Sequence, residues 1–178
     1  QGVSWTELRG NMPTMAINDL VIHPRDNDLV LATHSRGIWI LDDISPLQEL
    51  DSAVVASDLH LFTMEPAEQI RRQRKISHTG DAVFFGENPP DGAIIQYWMA
   101  RDSGEVSITV HGPRGSEIAR LEGAPGVGIH RVIWDLRISE PESPGEPAEG
   151  RRGFGQSRGP LVPPGTYSVR VSALGSQV

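Results

Sequence analysis

The chain has 178 residues and a formal net charge of −7, a balance that argues against general nucleic-acid binding. It contains no cysteine, which excludes disulfides and thiolate metal sites but does not identify a compartment. No apolar run approaches the roughly 20 residues of a membrane span, and abundant Gly and Pro with scarce helix patterns place the chain in the all-β class.

Residues 1–8 read as the outer strand of a preceding repeat, with Trp5 and Leu8 buried, and Gly10-Asn11-Met12-Pro13 reads as a turn. Three short apolar runs follow, Leu20–Ile22, Leu29–Ala32 and Ile38–Leu41, separated by the turn clusters Pro24-Arg25-Asp26-Asn27 and His34-Ser35-Arg36-Gly37. This pattern predicts an antiparallel meander. The runs do not alternate with polar residues, so both faces of such a sheet expect cover. A β-propeller blade has that cover because it packs between two neighbours. A propeller needs at least about four blades and this sequence shows one. It begins with Gln and shows no signal sequence, so the expectation is a C-terminal piece of a longer protein.

His34, Arg36 and Asp42 are the candidate ligand contacts at the propeller rim. Turn chemistry favours a plainer role for His34 and Arg36, satisfying backbone groups within the blade turn. Trp39 reads as a blade–blade packing residue rather than a sugar platform. Asp26-Asn27-Asp28 has the look of a calcium-loop fragment but lacks the Gly and the terminal Glu of the hand motif, so a β-turn is expected.

Trp5, Leu8, Met12-Pro13, His23-Pro24, Asn27-Asp28, Thr33-His34, Arg36-Gly37-Ile38-Trp39 and Asp42-Asp43 resemble the last blade of large bacterial secreted propellers. These are the sortilin-like or BNR (Asp-box) repeat proteins, often labelled glycosyl hydrolase. An Asp-box reads Ser-x-Asp-x-Gly-x-x-Trp, and Gly2 and Trp5 fit its second half. The resemblance covers residues 1–50 and implies a terminal propeller blade in a secreted, periplasmic or cell-envelope protein.

Ser45 to Leu50 begins an exit segment in which Asp43 or Ser45 can cap one helical turn with Pro46 inside it. Residues 51–87 have no clean period and read as a linker, with Leu59, Leu61 and Phe62 fastening it to the propeller side. The basic run Ile70 to Lys75 reads as solvated connector. His60 and His78 have no metal-ligand spacing to another His or acid. Glu87-Asn88-Pro89-Pro90-Asp91-Gly92 is a turn cluster that marks the entrance to a second domain, residues 88–178.

There the alternation becomes regular. Strands are expected at Ala93–Met99, at the Val106/Ile108/Val110 segment, at Glu117–Leu121, at Ile129–Leu136 and at Thr166–Val171. Trp134 decides which face of its strand is inner, and Tyr167, Val169 and Val171 point inward. Residues 139–158, nearly devoid of apolar side chains except Phe154, read as a mobile loop. Short strands at this spacing argue for a β-sandwich. Asn88-Pro89-Pro90-x-Gly92-Ala93, Trp134-Asp135-Leu136-Arg137 and Pro163-Pro164-Gly165-Thr166-Tyr167 resemble the C-terminal Ig-like (fibronectin III-like) domain of the same family, similar to that of flagellar hook-capping proteins.

No phosphate-binding loop or His-Glu-x-x-His is present. Glycosidase work needs two carboxylates across a cleft, and the adjacent Asp42 and Asp43 point to opposite faces of a strand. Sialidase-type chemistry needs an arginine cluster and a tyrosine nucleophile, but Arg36 stands alone and Tyr97 and Tyr167 fall in sandwich strands. The sequence therefore assigns no catalytic residue, cofactor or metal. It points to a non-catalytic fragment that closes a propeller and carries an interaction module for the propeller itself, a glycan, a peptide or a cell-envelope component. The alternatives are part of a glycoside hydrolase whose acids lie in other blades, and a sortilin-like peptide-binding propeller.

Overall fold

The computed structural model describes residues 5, 7–8, 11–69, 90–139 and 159–178. The chain divides into two units, Gln1–Gln48 and Glu49–Val178. Among the described residues there are three antiparallel sheets, one in the first unit and two in the second.

The first unit holds β1 (Ile17–Ile22), β2 (Leu29–Thr33) and β3 (Ile38–Leu41), paired in chain order. The β1–β2 turn is closed by backbone bonds between His23 and Asp28 (2.8 Å) and between Asn27 and His23 (3.0 Å). Asn27 takes φ 53° there, a left-handed conformation that Asn tolerates. Cross-strand partners share a face. The register Leu20–Leu31–Trp39 and Ile22–Leu29–Leu41 therefore builds one apolar face, and Val21–Val30–Ile40 with Ala32–Ile38 builds the other. Neither face is covered: Leu20 is 60% exposed on one and Ile38 71% exposed on the other. The expected burial of Trp5 and Leu8 fails. Trp5 is 89% exposed, and both residues lie outside any strand.

The second unit has two sheets over one core. One sheet is β4 (Leu59–Leu61), β5 (Ala93–Met99) and β8 (Gly128–Trp134). The other runs β10 (Ser176–Gln177), β9 (Ser168–Ala173), β6 (Ser107–His111), β7 (Glu117–Glu122). Inward residues of the first sheet, Leu59, Ile95, Tyr97, Met99 and Trp134, join Ile108, Val110, Ala119, Val171 and Ala173 of the second in a continuous buried cluster. Each large side chain so buried contributes about 1.5–3 kcal/mol. The buried Tyr97 hydroxyl donates to the Ala124 carbonyl at 2.8 Å, so burial raises its pKa without leaving it unsatisfied.

Residues 51–87 are not a plain linker onto the first sheet. Leu59 to Leu61 pairs antiparallel with Tyr97 to Met99, and Leu59 enters the second unit's core. Three residues are too short to show a period, which is why the strand escapes a sequence reading. A short helix precedes it, α2 (Ser52–Ala56), capped by Asp51, whose carboxylate accepts from the Ala53 and Val54 N–H groups. The earlier helical turn, α1 (Ser45–Glu49), contains Pro46 as expected, and the Asp43 carboxylate accepts from the Ser45 N–H at 3.0 Å. The basic run 70–75 and the expected loop 139–158, apart from Ser139, lie outside the described residues. Ser139 itself bonds the β7 edge, donating its N–H to Ile118 O at 2.8 Å.

Gly92 opens β5 with φ 141° where a Cβ would collide with the Trp134 carbonyl. Replacing it by Ala is expected to destabilise the second unit by about 2–4 kcal/mol. Gly112→Ala meets nothing closer than 3.5 Å and is expected to change stability by no more than about 0.5 kcal/mol. Equal melting curves for the two variants would refute the tight Gly92–Trp134 approach.

Candidate functional site

The candidate rim residues do not converge. His34 and Arg36 sit in the β2–β3 turn, both exposed. That turn is organised by its own groups. The Thr33 N–H and hydroxyl both donate to the Gly37 carbonyl (3.3 and 2.6 Å), and the Trp39 indole N–H donates to the Arg36 carbonyl at 3.2 Å. Ser35 and Gly37 take the left-handed φ values, 64° and 77°, that close it. Asp42 follows β3 at the opposite end. Six residues of extended chain separate it from Arg36, about 20 Å at ~3.3 Å per residue. One rim pocket within this sheet cannot hold all three.

At Asp42's end the polar groups form a lock rather than a cleft. Asp28 Oδ1 accepts from the Asp43 N–H at 3.0 Å, and the Asn27 carbonyl accepts from the Ile44 N–H at 3.0 Å. The Asn27 side-chain amide donates to Ser45 Oγ (2.9 Å) and to Gln48 Oε1 (3.1 Å), and accepts from Gln48 Nε2 (3.1 Å). Asp26 turns instead to Arg25, at 2.7 and 2.8 Å, and this bond holds its carboxyl below the usual range. The three side chains of Asp26-Asn27-Asp28 thus serve three different local tasks, as a β-turn would have them. No group of three or more metal-ligating side chains exists among the described residues.

The second unit contains a His–carboxylate contact that the sequence does not signal. His60 Nε2 lies 2.7 Å from Glu49 Oε1, although the two are eleven positions apart with no recognisable spacing. Glu49 Oε2 accepts from the Thr63 N–H at 3.0 Å. His60 also sits edge-on to buried Phe62, ring centroids 5.1 Å apart. The contact therefore fastens Glu49 to β4. Neither tyrosine is a nucleophile candidate. Tyr97 is in the core, and Tyr167 donates its hydroxyl to the Pro163 carbonyl at 2.5 Å.

The Thr63 N–H, and after it His60, hold the Glu49 carboxyl below its ordinary value of 4.5 against the opposing effect of burial. A depressed carboxylate contributes stability that is present above its unfolded pKa and lost as pH falls through the folded one. The second unit should therefore lose stability as pH drops below about 4.5, and Glu49→Gln should flatten that part of the profile. Thermal melts of the two proteins across the acid range check this; parallel profiles would remove Glu49 from the account.

No protein-family model matches the chain, and no curated protein or solved structure matches it either.

Proposed function

We propose that the chain is a non-catalytic piece of a large secreted bacterial protein, in which β1–β3 close a β-propeller and the second unit is an Ig-like interaction module. One observation carries this reading: a three-stranded sheet with exposed apolar residues on both faces. A solvated antiparallel sheet has one polar face. A sheet apolar on both needs a layer on each side, and that is the situation of a propeller blade. The side chains of Asn27 and Asp28 support the same reading, since they lock the exit of β3 without using the faces.

Two features of the second unit support the Ig-like assignment. Its two antiparallel sheets share one core. Its Tyr167 hydroxyl bonds back to a carbonyl four residues upstream while the ring packs edge-on to Trp134 at 5.6 Å, a corner of the kind found in Ig-like sandwiches. A partner such as a glycan, a peptide, a cell-envelope component or the propeller itself belongs to this proposal.

Amide hydrogen exchange on the monomeric chain tests the blade reading. The β1–β3 amides should exchange well ahead of those of β5 and β6, and should slow when neighbouring blades of the parent protein are supplied. Protection of β1–β3 equal to that of β5 and β6 in an isolated monomer would sink it.

A further inference from the structure

The turn that leads into β5 carries the pair Asp91-Gly92, and no other Asp or Asn in the chain precedes a glycine. Position 92 admits no side chain. Gly92 takes φ 141°, and a Cβ there would meet the Trp134 carbonyl. A backbone approach of that kind is what glycine permits. Asp91 itself is exposed and lies outside the ladder, whose first pair is Ala93 with Trp134. The Gly92 N–H donates to no backbone carbonyl among the described residues. Three features thus meet at one peptide unit: a carboxyl open to solvent, a following amide nitrogen not engaged by the backbone, and no side chain to obstruct their approach.

We propose that Asp91 is a site of spontaneous isomerisation to isoaspartate. The Gly92 nitrogen attacks Asp91 Cγ and forms an N–Cγ bond, closing a five-membered succinimide. The amide proton and the carboxyl hydroxyl leave together as water. Water then adds back at either ring carbonyl. Opening at Cγ restores aspartate. Opening at the main-chain carbonyl of Asp91 leaves the chain running through Cβ and Cγ, which is isoaspartate. Solvent water is the only co-reactant, and the net composition is unchanged. Two other described aspartates precede a small residue, and both are placed differently. Asp51, before Ser52, accepts from the Ala53 and Val54 N–H groups. Asp102, before Ser103, accepts from the Gly104 N–H at 2.9 Å. The close approach that demands glycine at 92 is therefore what singles out Asp91. Isoaspartate adds one carbon to the main chain just before Gly92, which displaces the Gly92–Trp134 approach and frays the start of β5. The reaction needs no partner and is independent of the binding role proposed above.

Prolonged incubation of the 178-residue chain at neutral pH tests the site. Isoaspartate is read by peptide mapping with electron-transfer fragmentation, and by enzymatic methyl transfer to isoaspartyl carboxylates. It is expected to accumulate at Asp91 ahead of Asp51 and Asp102. D91E should lose the signal, because a glutamate would have to close a six-membered ring. D91N should raise it several-fold, because ammonia leaves more readily than water. Circular dichroism of each variant confirms that the fold is retained. Chain enriched in isoaspartate should melt below fresh chain, and its Ala93 and Ile94 amides should exchange faster. A folded D91N chain that stays unmodified would show that the turn holds the Gly92 nitrogen away from the side chain, and overturns the proposal. So does a signal that D91E retains, or isoaspartate that forms at Asp51 or Asp102 as fast as at Asp91. Equal melting of aged and fresh chain overturns the fraying of β5.

Discussion

Apolar side chains on both faces of a three-stranded sheet set the terms for everything else in the first unit. A small sheet becomes stable by burying one face and solvating the other. Here the rows Leu20–Leu31–Trp39 and Ile22–Leu29–Leu41 on one face and Val21–Val30–Ile40 on the other are wholly apolar, while Asp19 stands in the row with Ala32 and Ile38. The polar residues of the turns are consumed locally. Asn27 and Asp28 bind the Asp43–Gln48 exit, and Thr33 and Gly37 close the other turn. What remains among the described residues is exposed apolar area, a need met by packing.

The second unit stands in the opposite condition. Its two sheets cover each other's apolar faces, and the outward positions of β6 and its neighbours are polar. Thr109, for example, lies between Arg120 and Arg170 across three strands. Its chain crossing is held by Trp134 to Arg137. The Trp134 indole donates to the Arg137 carbonyl at 2.9 Å, Arg137 Nη1 donates to the Gly159 carbonyl at 2.8 Å, and Leu136 takes φ 58° to turn inward between them.

What the sequence revealed follows from the range of the interactions involved. Ala93–Met99 and the segment containing Ile108 and Val110 were legible because their alternation is regular over several residues and period two is a strand's own geometry. The inner face of β8 was legible because Trp134 is too large to leave exposed. β4 was not, since three residues carry no period and its identity comes from pairing with residues nearly forty positions away. Trp5 and Leu8 misled for a related reason: an apolar residue states a preference for burial but not what will bury it. His34, Arg36 and Asp42 lie within nine positions of sequence, yet one strand carries Asp42 to the far end of the sheet from the other two. The Glu49–His60 contact is the converse case, made by a turn of the fold between residues with no sequence relation.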